Sequence, residues 1–255
     1  MYVKCGSLAK AEEVFDQLLD RSVVSWTSLI KGYLEHELAE EAIECFQQMQ
    51  LDGIAPDAMA FVAGLQACGS LGAINKGEEL HTEIEQRGLL YHDTVCGKAL
   101  VDMYAKCCCL EKAEEVFYRL PFRDVVAWTT LMTGYTEHGE SANVFTVYNR
   151  MLEGGVKPDE VVFTVTLGAC SQIGLFQKYV TYLQAMTKDY GIIPIHKHFM
   201  CAVEFFSYTG LLDNAFHMIR KLPCCPTPRA WNNVLGACRY SGNISIARQA
   251  FKHVS

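Results

Sequence analysis

The stretch VVSWTSLIKGYLEHELAEEAIECFQQMQLDGIAPD, residues 23–57, decides the fold. Within it Trp26, Leu29, Ile30, Tyr33 and Leu34 fall at i, i+3, i+4, i+7 and i+8, the spacing of one apolar stripe on a helix. Ala39, Ala42, Ile43, Phe46 and Met49 make a second stripe after a short polar interval. Gly53 suits a left-handed helix end and Pro56 forbids continuation, so the stretch predicts two antiparallel helices joined as a hairpin. One hairpin cannot bury both stripes. Stacked copies can, through contacts between neighbours.

Working outward, VVAWTTLMTGYTEHGESANVFTVYNRMLEGGVKPD at 125–159 falls on the opening stretch without a gap, 102 residues further on. The same shift carries MYVKCGSLAKAEEVF at Met1 onto MYAKCCCLEKAEEVF at Met103, and FVAGLQAC at Phe61 onto FTVTLGAC at Phe163. A repeat at fixed period is the signature of an array. The helical pattern divides the chain at 1–22, 23–57, 58–93, 94–124, 125–159, 160–195, 196–227 and 228–255, with unit lengths of 35, 36 and 31 residues making up the longer period. In the first segment Ala11, Val14, Phe15 and Leu18 read as the second stripe of a hairpin whose opening is incomplete, so a fragment is one expectation. The predicted fold class is all-α: a right-handed superhelical solenoid of antiparallel helical hairpins.

Composition narrows the function. Half of the 255 residues are hydrophobic, enough for a continuous core, yet no apolar run approaches the ~20 residues a membrane helix needs. The first residues carry neither a secretory pattern nor an Arg/Ser-rich transit segment. Of the 12 cysteines, Cys45, Cys68, Cys96, Cys170, Cys201 and Cys238 sit singly inside helical patterns, as buried thiols of a reducing compartment do. The clusters Cys107–Cys109 and Cys224–Cys225 lack the paired spacing of a tetrahedral metal site. A net charge of −7 disfavours simple electrostatic capture of nucleic acid, although charge can segregate between the faces of a solenoid.

The VVSWTSLIKGY and VVAWTTLMTGY openings, the GIAPD and GVKPD closings, ALVDMYAKC, AEEVF and the alternating unit lengths together resemble the pentatricopeptide repeat (PPR) proteins of plants, in the subclass with P-, L- and S-type units. The tail from about residue 196 resembles a final S-type unit and the start of a truncated E extension. The resemblance implies sequence-specific binding of single-stranded RNA in the mitochondrion or chloroplast, one unit per base. It further implies selection of C-to-U editing sites or other RNA-processing sites, with editing-complex proteins or a deaminase supplied by a partner.

In such proteins the fifth and last residues of a unit read the base. Carried over, these are Thr27 with Asp57, Thr129 with Asp159, and Lys98 with Asp124; the resemblance implies guanine for both threonine–aspartate pairs. A carboxylate can accept from guanine N1–H and its amino group, which makes the assignment chemically reasonable. Val24 and Val126, second in their units, would sandwich neighbouring bases. Each role has a plainer structural counterpart. Asp57, Asp93, Asp124 and Asp159 precede helices and suit N-capping, the threonines suit solvated first-turn hydroxyls, and the valines suit packing between repeats. Lys98 departs from the usual fifth residue and could meet phosphate or a neighbouring carboxylate, whereas Val62, Thr164 and Met200 promise little hydrogen-bonded specificity. Lys4 and Lys106 are weaker phosphate candidates.

Nothing in the chain assembles a catalytic centre. His81-Thr82-Glu83 matches a deaminase fragment by letters only, lies mid-helix and lacks the Pro-Cys-x-x-Cys partner; Cys224 and Cys225 do not supply it. His196 and His198 are close together without further ligands. The expectation is a non-enzymatic chain with no cofactor, no metal and no membrane partner, the competing class being a helical-repeat scaffold for proteins.

Overall fold

The structure, a computed structural model, describes residues 8–92, 94–208, 212, 215, 228–241 and 243–252. The described residues are helices and the turns between them, in two compact units, Met1–Gly134 and Tyr135–Ser255. In the first unit the order is α1 (Leu8–Asp16), α2 (Val23–Glu35), α3 (Ala39–Leu51), α4 (Ala58–Leu71), α5 (Ile74–Gln86), the single turn α6 (Leu89–His92), α7 (Thr94–Lys106) and α8 (Leu110–Arg119). Helix α9 (Val125–Glu137) begins there and ends in the second unit. The second unit continues with α10 (Ser141–Glu153), α11 (Glu160–Gln172), α12 (Phe176–Lys188), α13 (His196–Tyr208) and the helices Pro228–Ser241 and Ile244–Phe251. None of the described helices is long and apolar enough to cross a membrane.

In the first unit α2 packs on α3 and on α4, α4 on α5 and α7, and α7 on α8. In the second, α11 packs on α10, α12 and α13, and α13 on Pro228–Ser241. First helices thus line up side by side, with second helices behind them, which is the all-α solenoid arrangement. The stripes are buried accordingly: Trp26, Leu29 and Ile30 on α2 and Ala42, Phe46 and Met49 on α3 are all below a tenth exposed. Thr27 is buried as well, so α2 is covered over more than one narrow stripe.

Turns follow from local chemistry. The fifteenth residue of each complete unit from 23 to 195 takes a left-handed backbone: Glu37 (φ 61°), Gly72 (66°), Cys108 (61°), Gly139 (75°) and Gly174 (75°). Glycine adopts this without a Cβ clash, whereas Glu37 and Cys108 carry the strain. After the second helices, Gly53 and Gly155 turn the chain at φ 76° and 74°.

The junctions recur with the long period. Phe15 meets Trp26 edge-to-face at 4.6 Å, and 102 residues on Phe117 meets Trp128 in the same way at 4.7 Å. Arg21 lies over the Phe15 ring at 4.6 Å and Arg123 over Phe117 at 6.0 Å, each closing its aromatic pair with a cation. The first stripe differs from its prediction in part. Phe15 is buried, but Val14 and Leu18 are about two-fifths exposed; α1 ends at Asp16, which leaves Leu18 past the helix.

In the second unit aromatic side chains replace aliphatic ones. Tyr182 stacks on Phe145 at 5.9 Å, and Tyr179 is buried with its hydroxyl donating to the His198 carbonyl at 2.9 Å. His198 itself is fully buried: Nδ1 accepts from the Ile195 amide at 3.0 Å, and Nε2 lies 3.1 Å from the Glu160 carbonyl and 3.0 Å from Thr164 Oγ1. This pattern requires the neutral tautomer with hydrogen on Nε2 and makes the ring a brace between α11 and α13. The side chain of His196 lies outside the described residues, as do Lys4, Asp93, Cys224 and Cys225.

Candidate nucleic-acid interface

The starts of the first helices carry the unusual surface. Val24 is 67% exposed and Val126 54%, so neither valine packs between repeats. Met59, Val95 and Val161 hold the same second position on α4, α7 and α11 and are also exposed. Sequence reading missed these three; their signal was the shared register, one residue into each first helix. Five apolar side chains held in water at a fixed register amount to a set of surfaces that gain by being covered.

Among the described residues Asp57, Asp124 and Asp159, each last in its unit, cap the helix that follows. Asp57 Oδ1 accepts from the Ala60 amide at 2.8 Å, Asp124 Oδ1 from Ala127 at 2.9 Å, and Asp159 Oδ1 from Val161 at 3.0 Å and Val162 at 2.9 Å. These bonds satisfy amides that a helix start leaves open. In Asp57 and Asp159 they engage one oxygen only, and Oδ2 has no partner among the described residues.

The fifth residues differ from one another. Thr27 is 7% exposed and its hydroxyl donates to the Val23 carbonyl at 2.8 Å; Thr129 is half-buried and donates to Val125 at 2.7 Å. The picture of solvated first-turn hydroxyls is therefore replaced by back-bonded ones. With the proton turned to the helix, each threonine oxygen retains only acceptor capacity. Thr164 donates likewise to Glu160, Val62 is buried, and Met200 is half-buried.

Lys98 pairs with Asp124, its Nζ 3.0 Å from Oδ2. Burial pushes the Asp124 carboxyl up, but the Ala127 amide, the Lys98 ammonium and the Val126 amide together outweigh it and hold the group below its ordinary value. Lys106 is held on its own helix by Asp102 at 2.8 Å.

Charge is segregated in the first unit. Carboxylates crowd the second helices, with Glu40, Glu41 and Glu44 on α3, Glu78, Glu79, Glu83 and Glu85 on α5, and Glu111, Glu114 and Glu115 on α8. Helix α4 carries no charged residue, and α2 carries only Lys31 and Glu35. The negative total is thus borne mainly away from the helix starts where Val24 and Met59 stand.

The deaminase-like triplet is committed to structure. His81 Nδ1 bonds the Tyr104 hydroxyl at 2.8 Å, Thr82 donates to the Glu78 carbonyl at 2.9 Å, and Glu83 holds Arg87 and accepts from Gln50. Burial, against the pull of Glu85, lowers the His81 pKa and favours the neutral ring.

Comparisons with known proteins agree with this architecture. The profile of the PPR repeat family matches residues 21–70 and 123–172, and that of the PPR repeat matches 1–23 and 98–125. A putative pentatricopeptide repeat-containing protein of Arabidopsis thaliana is 35% identical over 250 residues, covering 98% of this chain and 34% of its own. A putative mitochondrial one from the same plant is 34% identical over 254 residues, and the chloroplastic protein CRR2 is 35% identical over 258. The chain spans 41% and 39% of those two relatives. The crystal structure of maize PPR10 is similar at a TM-score of 0.72 and 15% identity, over 94% of this chain and 34% of that one. PPR10 in complex with an 18-nucleotide psaJ RNA element is similar at 0.61 and 18% identity, over 99% and 43%. The repeated units, the helical architecture and the similarity along the whole length establish that the chain belongs to the pentatricopeptide repeat family.

Proposed function

We propose that the chain binds single-stranded RNA without catalysing a reaction on it, taking one base per hairpin at the starts of the first helices. The observation that carries this reading is the uncommitted Oδ2 of Asp57 and of Asp159, each in a unit whose threonine hydroxyl is turned to its own helix. An acceptor of this kind suits guanine, whose N1–H and amino group are adjacent donors; uracil, cytosine and adenine each place an acceptor where one of those donors stands. Val24 and Val126 then cover the faces of the bases on either side, a gain in apolar burial independent of sequence.

The units 23–57 and 125–159 act as P-type, 58–93 and 160–195 as L-type, 94–124 and 196–227 as S-type, with 228–255 opening an E-type extension. On that reading the chain selects a C-to-U editing site or another processing site in organelle RNA, in the mitochondrion or chloroplast. Any deaminase is supplied by a partner. Relatives assigned to each of those organelles support the location, and the RNA-bound maize structure supports the ligand class.

Selection of the 255-residue chain from a randomised RNA pool tests this. Enrichment of two guanines separated by two nucleotides, lost with rising salt, is the expected result. The acidic second helices favour a second reading, a scaffold for basic proteins, and absence of RNA retention at low salt would decide for it.

A further inference from the structure

We infer that unit 94–124 is a base-tolerant spacer between the two guanine-reading units, silenced by the Lys98–Asp124 ion pair. The inference rests on the reading in the preceding subsection and concerns a unit in which, among the described residues, the fifth and last residues bond each other. Among the described residues three aspartates hold the same place, Asp57, Asp124 and Asp159, and all three cap the next helix through Oδ1. Only in Asp124 is Oδ2 also occupied, by Lys98 Nζ at 3.0 Å. The pair is no loose surface contact: the lysine side chain is 21% exposed and the aspartate 35%.

Occupancy changes what a base meets. A guanine at this unit finds no open carboxylate oxygen for N1–H and its amino group, because one oxygen holds the Ala127 amide and the other the ammonium. The ammonium can present its remaining N–H groups instead, and every base has an acceptor on its Watson–Crick edge: N1 of adenine, O6 of guanine, N3 of cytosine, O4 of uracil. A donor that any base can satisfy discriminates among none of them. Val95 and Val126, exposed at the starts of α7 and α9, still flank the position, so the nucleotide is held without being identified.

Uncoupling the pair restores reading. Lys98→Thr removes the ammonium and creates the threonine–aspartate combination of the flanking units, with Asp124 Oδ2 released. Pool selection with the wild-type chain is expected to return two guanines separated by two unselected nucleotides. With K98T, guanine is expected at the nucleotide facing unit 94–124 by about five-fold or more over each other base, while the two original guanines persist. A wild-type preference at that nucleotide overturns the inference, and this arm needs no variant to fold. So does a K98T chain, helical by circular dichroism, that keeps both flanking guanines and stays indifferent in between. Loss of preference at all positions in the wild type would instead refute the RNA reading itself, so the two failures are distinguishable.

Discussion

Exchanging Asp159 for asparagine and for alanine separates helix capping from base reading, because the two duties fall on different oxygens. Oδ1 caps α11 through the Val161 and Val162 amides at 3.0 and 2.9 Å, whereas Oδ2 is uncommitted. Asparagine ranks with aspartate as a cap, so Asp159→Asn forfeits only the charge at the positive helix end, about 0.3–1 kcal/mol. Alanine forfeits the cap itself, about 0.5–2 kcal/mol. At roughly 2–4 °C per kcal/mol for a chain of this size, Asp159→Asn lowers the melting temperature by about 1–4 °C and Asp159→Ala by up to about 8 °C. RNA recognition ranks the variants differently. The asparagine amide sets donors against guanine's own donors, so both variants lose guanine preference at that position, by about five-fold or more. Thermal melts followed by circular dichroism, with RNAs differing only at the facing nucleotide, give both readouts. An Asp159→Asn protein that melts as expected yet still prefers guanine would refute the argument and leave Asp159 as a cap alone.

Cys108 is exposed and left-handed at φ 61°, where three other units place glycine, so Cys108→Gly is expected to stabilise the first unit by about 1 kcal/mol, read from thermal melts. Val126→Ala is expected to shift stability by no more than about 0.5 kcal/mol, since the side chain is already 54% exposed. The same change should weaken RNA binding up to about ten-fold for all sequences alike; a change confined to one base identity would reject the sandwiching role. Burial lowers the folded-state pKa of His81, so the unfolded chain binds the proton first and stability falls as pH drops through about 6.5. His81→Asn should flatten the stability profile between pH about 7 and 5, and an unchanged slope would mean that another group dominates.

Much of the site was legible at the level of residue type. The aspartates before each first helix read as caps, and three of them accept helix amides through Oδ1. Lys98 was open between phosphate and a neighbouring carboxylate, and the structure pairs it with Asp124, 26 residues away. Nothing local to either residue brings them together; the packing that seats the start of α9 near the start of α7 does. Val24 and Val126 could equally have filled an inter-repeat seam, and their exposure is a property of how neighbouring helices are spaced.

The sequence alone determined the helices, their pairing into hairpins and their repetition, because a period of 3.6 residues, a capping aspartate and a turn glycine act within a few residues of themselves. Tertiary structure alone decided which polar atoms remain uncommitted. The free oxygens of Asp57 and Asp159 and the occupied one of Asp124 depend on whether a distant side chain comes within about 3 Å, as Lys98 does. Hydrogen bonding is that short-ranged and directional, so spacing along the chain can nominate the residues but not allot their bonds.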